Sequence, residues 1–121
     1  MPANYRNAVC YLDTNVLIYA FDTADTVKQQ LSKELLRYFP QNRSGRISIQ
    51  VLSEWRNAMI KKYSQLVDAT LRREFIRNMG VWQPLAISPQ ILIKADELSD
   101  RYRFSPYDAI HVQCALELGC R

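Results

Sequence analysis

Glycine is scarce in this chain: Gly45, Gly80 and Gly119 are all there is. No two of them lie close enough to form a phosphate-cradling loop. That excludes a P-loop and a GxGxxG turn, and with them nucleotide binding through a glycine-rich cradle. Histidine is scarcer still. His111 stands alone, which excludes a zinc hydrolase built on several imidazoles and the HExxH arrangement. The cysteines are Cys10, Cys114 and Cys120. Their number is odd and their spacing fits neither a disulfide framework nor a zinc motif, so a reducing, cytoplasmic setting is expected. Each thiol is read as a small buried hydrophobe. No apolar run approaches the ~20 residues of a membrane span, and no secretory signal is expected.

What is present describes a globular domain. A length of 121 residues sets one domain, expected over 1–121, large enough to bury roughly two-thirds of its unfolded surface. Hydrophobic residues make up 48% and charged residues 23%, ordinary values for a folded protein. The net charge of +4 and the pI near 9.1 mildly favour an anionic partner.

The chain is organised around residues 9–19. Val9-Cys10-Tyr11-Leu12 is mainly apolar and runs into Asp13. Thr14 and Asn15 follow, and then an apolar segment with helical spacing. This predicts a strand over 8–12 and a helix over 14–20. An amphipathic helix is predicted over 27–39, with Val27, Leu31, Leu35 and Phe39 inward and Pro40 as its stop. A second strand is placed at 46–49, then a helix to about 62 with Val51, Leu52, Trp55, Ala58 and Met59 as its inner stripe. Another helix is read over 67–79, with Leu71, Phe75 and Met79 in line and Gly80 as terminator. A third strand is expected within 81–87. Ser88-Pro89 and Ser105-Pro106 each pair an N-cap with an N1 proline, so two last helices are placed at 89–102 and 106–118. Strands separated by long helical stretches imply parallel pairing and right-handed crossovers, an α/β fold.

Three carboxylates stand out from the solvated charges. Asp13 follows the first strand, where open α/β sheets bind ligands. It also suits an N-cap, accepting from the next turn. Glu54 borders the inner stripe of its helix, with Val51 and Ala58 on either side. There it needs a cation, water or an ion-pair partner, since burying a lone charge is costly. Asp108 lies in the first turn of the last helix, where Ser105-Pro106-Tyr107-Asp108 also fits a capping box. With parallel crossovers, the segments after the first two strands emerge on one edge of the sheet. Asp13 and Glu54 would then face each other and repel unless a cation lay between them. Oxygen donors without sulfur or imidazole suit Mg²⁺ or Mn²⁺. Such an ion beside a basic surface equips a site for phosphodiester hydrolysis.

The motifs Tyr11-Leu12-Asp13-Thr14-Asn15-Val16-Leu17-Ile18-Tyr19, Ser48-Ile49-Gln50-Val51-Leu52-Ser53-Glu54-Trp55 and Ser105-Pro106-Tyr107-Asp108-Ala109-Ile110 resemble those of the PIN-domain nucleases. Within that family they are most similar to the VapC-type toxins of bacterial toxin–antitoxin pairs. The resemblance covers nearly the whole chain in order and spacing. It implies a PIN-like three-layer fold, a short parallel sheet flanked by helices. It also implies metal-dependent endoribonuclease activity, with Asp13, Glu54 and Asp108 as catalytic metal ligands for Mg²⁺ or Mn²⁺, and with Thr14 lining the site. RNA is the implied substrate and an antitoxin the implied partner. The family pattern continues beyond Gly119 with another strand and a fourth acid, whereas this chain stops at Arg121. The expectation is therefore a fold lacking its C-terminal strand or strands, completed by dimerisation or swapping. An alternative follows: an impaired remnant that binds RNA or an antitoxin without cutting.

His111, three residues after Asp108, is read as a partly buried structural histidine, with contact to substrate phosphate as the rival role. The basic residues fall in groups: Arg43 and Arg46; Lys61 and Lys62; Arg72, Arg73 and Arg77; Arg101 and Arg103. Of these, Arg43 and Arg46 are chosen as candidate RNA-phosphate contacts.

Overall fold

Two short strands lie at the centre. β1 (Cys10–Tyr11) and β2 (Gly45–Arg46) pair in parallel, with Cys10 opposite Gly45 and Tyr11 opposite Arg46. The structure, a computed structural model, describes residues 9–120, except for the side chains of 40–42. Residue 8, the first position of the expected strand, lies outside the described residues.

The Cys10 amide donates to the Ser44 carbonyl at 2.8 Å, and the Leu12 amide to that of Arg46 at 2.9 Å. On the other side, the Leu85 amide reaches the Ile47 carbonyl and the Ile49 amide reaches the Leu85 carbonyl, at 3.0 and 2.9 Å. The chain at 45–48 therefore runs between β1 and a single parallel bridge, Ser48 to Leu85. The third strand expected within 81–87 is reduced to that bridge. Residues Gly80–Trp82 wind into a 3-10 turn, Gln83 sits in the left-handed region at φ 50°, and Pro84 offers no amide beside the bridge.

Helices make up most of the rest. They are α1 (Thr14–Tyr19), α2 (Thr26–Asn42), α3 (Ile49–Lys61), α4 (Ala69–Met79), α5 (Pro89–Tyr102) and α6 (Pro106–Glu117). Their starts follow side-chain chemistry. Asp25, Ser48, Asp68, Ser88 and Ser105 each accept the amide three residues on, satisfying an orphan donor of the first turn. α1 lies against both α2 and α3, and α6 lies against α5 and α3. The architecture is mostly helical around a short parallel sheet, consistent with the α/β fold expected. No helix among the described residues is long and apolar enough to cross a membrane.

Three local expectations are corrected, at Pro40, Val27 and Leu71. Pro40 does not stop α2, which runs on to Asn42. A proline this near a helix end removes one late hydrogen bond. The end is closed instead at Arg43, left-handed at φ 53°, where the amides of Arg43 and Ser44 both reach the Phe39 carbonyl. Val27 does not face inward; it lies in the first turn of α2 and is 77% exposed. Leu71, in the first turn of α4, is likewise exposed. Gly80 caps α4 with ordinary right-handed geometry, so the chain tightens there rather than reversing.

The core is built on α3. Val51, Leu52, Trp55 and Met59 are buried among Leu12, Leu17, Leu35, Phe39 and Ile47. The Trp55 ring meets Phe75 at 4.3 Å and Phe21 at 5.5 Å between centroids. Gly45 is dictated by crowding: a Cβ there would meet the Trp82 ring at 2.4 Å and Phe39 Cβ at 2.6 Å.

Candidate functional site

β1 ends in the pair that opens the site. Tyr11 points toward the α6 side, and Leu12 turns into the core. Asp13 then occupies the N-cap position of α1. Its carbonyl accepts the Val16 amide at 3.1 Å, yet its carboxylate makes no capping bond and is exposed. The helix thus leaves that carboxylate uncommitted.

Ser48 caps α3, and α3 then presents Gln50 and Glu54 one turn apart. Thr14 of α1 donates its hydroxyl to Glu54 Oε1 at 3.0 Å. Gln50 donates to Oε2 at 2.7 Å, and His111 Nε2, from α6, meets the same oxygen at 2.9 Å. Among the described residues, no lysine or arginine pairs with Glu54. A carboxylate offers about four acceptor positions. Described residues use three of them, two on Oε2 and one on Oε1, and leave one on Oε1.

The imidazole is itself held. His111 Nδ1 lies 2.8 Å from Tyr11 Oη, and Tyr11 Oη lies 2.7 Å from Ser48 Oγ. Directions follow from the ends. A carboxylate has only acceptors, so Nε2 carries the proton toward Glu54. In the neutral ring Nδ1 then accepts from the Tyr11 hydroxyl, whose oxygen accepts from Ser48. Ser48 Oγ in turn accepts the Val51 amide at 3.4 Å. This chain of bonds runs from the start of α3 through β1 and α6 back to Glu54. Burial pushes the Tyr11 phenol well above its ordinary value. The Cys114 thiol and the Glu54 and Asp13 carboxylates push the same way, and the Ser48 bond opposes them. Asp13 and Glu54 thus act on one buried hydroxyl.

Asp108 is exposed in the first turn of α6, one turn before His111. Its amide donates to Ser105 Oγ at 3.3 Å, and no return bond from its carboxylate completes a capping box. The structure therefore brings Thr14 and His111 onto Glu54, with Asp13 adjacent to Thr14 in the chain and Asp108 one helical turn before His111. Among the described residues, no three acidic, histidine or cysteine side chains stand close enough to form a ready cation cage.

Arg43 closes α2, and Arg46 ends β2 opposite Tyr11. The Arg46 guanidinium donates to the carbonyls of Arg43 and Gly45 at 2.9 and 3.1 Å. Both arginines line a cavity of about 520 Å³ with Phe39, Trp82 and Leu118. The three cysteines form no disulfide, and burial raises all three thiols above their ordinary value.

Sequence reasoning did not find the bonds of Tyr11, Ser48 and Gln50 to this network. The i, i+4 spacing of Gln50 and Glu54 is a signal for one of them. The Tyr11–His111 contact spans 100 positions and leaves no local trace. The family model of the PIN domain matches residues 10–121. No curated protein matches the chain.

Proposed function

The chain belongs to the PIN domain family, whose members are generally nucleases, and on that premise we propose that it is a Mg²⁺- or Mn²⁺-dependent endoribonuclease of the VapC toxin type. The observation that carries the reading is the Glu54 carboxylate. It is fixed by Thr14, Gln50 and His111 with one acceptor position uncommitted, at the same edge of the sheet as an exposed, uncapped Asp13.

The donor chemistry fits a hard cation. Asp13, Glu54 and Asp108 offer oxygen alone, and the carboxylates of Asp13 and Asp108 are not committed to any helix cap. These three residues would hold the ion. When bound, it would acidify a water and offset negative charge on the attacked phosphate. Thr14 and Gln50 fix the Glu54 rotamer, and His111 keeps its imidazole on Oε2, so Oε1 is the less occupied oxygen. The reading brings with it a cognate antitoxin over the same cleft and a homodimer.

The test is cleavage of single-stranded RNA with Mg²⁺ or Mn²⁺. Asp13→Asn is expected to lower the rate by at least about 100-fold, more than the loss of an outer partner would. Wild-type cleavage by that variant would overturn the assignment. A second reading is favoured by the absence of a ready cage of three ligands among the described residues: a chain that binds RNA or an antitoxin without cutting. Calorimetry separates the two. Saturable Mn²⁺ binding that Asp13→Asn removes supports the nuclease, and no binding supports the non-cutting chain.

A further inference from the structure

The turn between α5 and α6 carries three exposed rings that nothing above uses. Tyr102 is 58% exposed, Phe104 38% and Tyr107 64%. Isolated exposed apolar residues are common, but three rings within six positions of one turn are not scattered. The Tyr102 and Phe104 rings lie 5.9 Å apart at 39°, so they lean together without covering each other's faces. Two arginines alternate with them. Arg101 Cζ lies 6.0 Å over the Tyr102 ring, and Arg103 holds the left-handed bend at φ 57°. Both are exposed. The segment ends at Asp108, directly beside Tyr107, and Asp100 stands at its other end.

From this we infer that Tyr102, Phe104 and Tyr107 form a stacking surface for the unpaired bases of single-stranded RNA, with Arg101 and Arg103 on its phosphates. The inference rests on the nuclease reading and names the form of substrate that site takes. Alternating rings and guanidinium groups match a strand whose bases and phosphates alternate. A duplex hides its base faces inside the stack, so the same surface offers it only two cations. Continuity with Asp108 places the strand where it leads into the candidate site. An apolar protein partner would have no use for the two flanking arginines.

The probe is a labelled oligouridine single strand, compared with the same strand annealed to its complement, in EDTA so that no cleavage occurs. Tyr102→Ala and Tyr107→Ala are each expected to weaken single-strand binding about tenfold, while Tyr102→Phe binds as wild type. Duplex binding should not respond to any of them. Arg101→Gln and Arg103→Gln should each lower the salt dependence by about one phosphate contact. The rings are exposed, so unchanged thermal melts serve as the folding control. Wild-type affinity in both alanine variants overturns the inference, as does an equal loss on duplex. Loss of self-association with RNA affinity intact also overturns it, since the rings would then serve a second copy of the chain. Cleavage with Mn²⁺ is read in parallel. Ring-dependent binding without cleavage removes the nuclease reading alone; cleavage abolished by Asp13→Asn, with ring variants binding normally, removes the stacking surface alone.

Discussion

At the scale of single residues, His111 gathers several consequences. One nitrogen holds the Glu54 carboxylate and the other meets the Tyr11 hydroxyl. Removing the ring takes one bond from each of two oxygens, which keep Gln50 and Ser48 as partners. His111→Ala is therefore expected to destabilise the fold by about 1–3 kcal/mol, the net worth of one bond to a charged group and one to a neutral one. It should also lower Mn²⁺ affinity by about 10–100-fold, because the ligand loses its orienting partner. Urea denaturation reads the first effect and calorimetry the second. Stability loss without any change in Mn²⁺ affinity would make His111 purely structural. The sequence marked Thr14 and Glu54 through a recognisable motif, and their contact is present. The same sequence held no sign that Tyr11 and Ser48 join His111, because partners 37 and 100 positions apart share no periodicity.

At the scale of elements, the helices were legible and the sheet was not. α5 runs from Pro89 to Tyr102 as the Ser-Pro start and the apolar spacing require. Five helix starts carry a side-chain cap that can be read directly from the residue type. A two-residue strand has no alternation to read, so the boundaries of β1 and β2 were set too wide. Pro40 misled for a related reason. The rule that proline ends a helix concerns a helix interior, and here the last turn closes on the Phe39 carbonyl. The crowding at Gly45 belongs to this scale, because it is where β2 passes under the 3-10 turn. Gly45→Ala forces a methyl into the Trp82 ring and Phe39. A loss of about 1–3 kcal/mol is expected from such overpacking, measurable as a lowered denaturant midpoint. An unchanged midpoint would mean that Trp82 swings away at no cost.

For the molecule as a whole, protonation couples the buried groups to stability. Burial raises the Tyr11 phenol from its ordinary 10.0 and the Cys114 and Cys120 thiols from 9.0. The folded chain therefore keeps protons in alkali that the unfolded chain releases. The stabilisation is whole below the ordinary thiol value and is lost as the pH climbs past it. Denaturation midpoints should be flat from neutrality to about pH 8.5 and fall by about pH 10. Cys114→Ala with Cys120→Ala should shallow that fall. A midpoint that rises over the same interval would reverse the sign and refute the account.

The donor that completes Glu54 lies 57 positions further along the chain than Glu54 itself. Synthesis proceeds from one end, so a ribosome has made β1, α1 and α3 well before α6 emerges. Until then the glutamate has Thr14 and Gln50 beside it but lacks the imidazole. The set of bonds around Glu54 is therefore complete only once the last helix has docked.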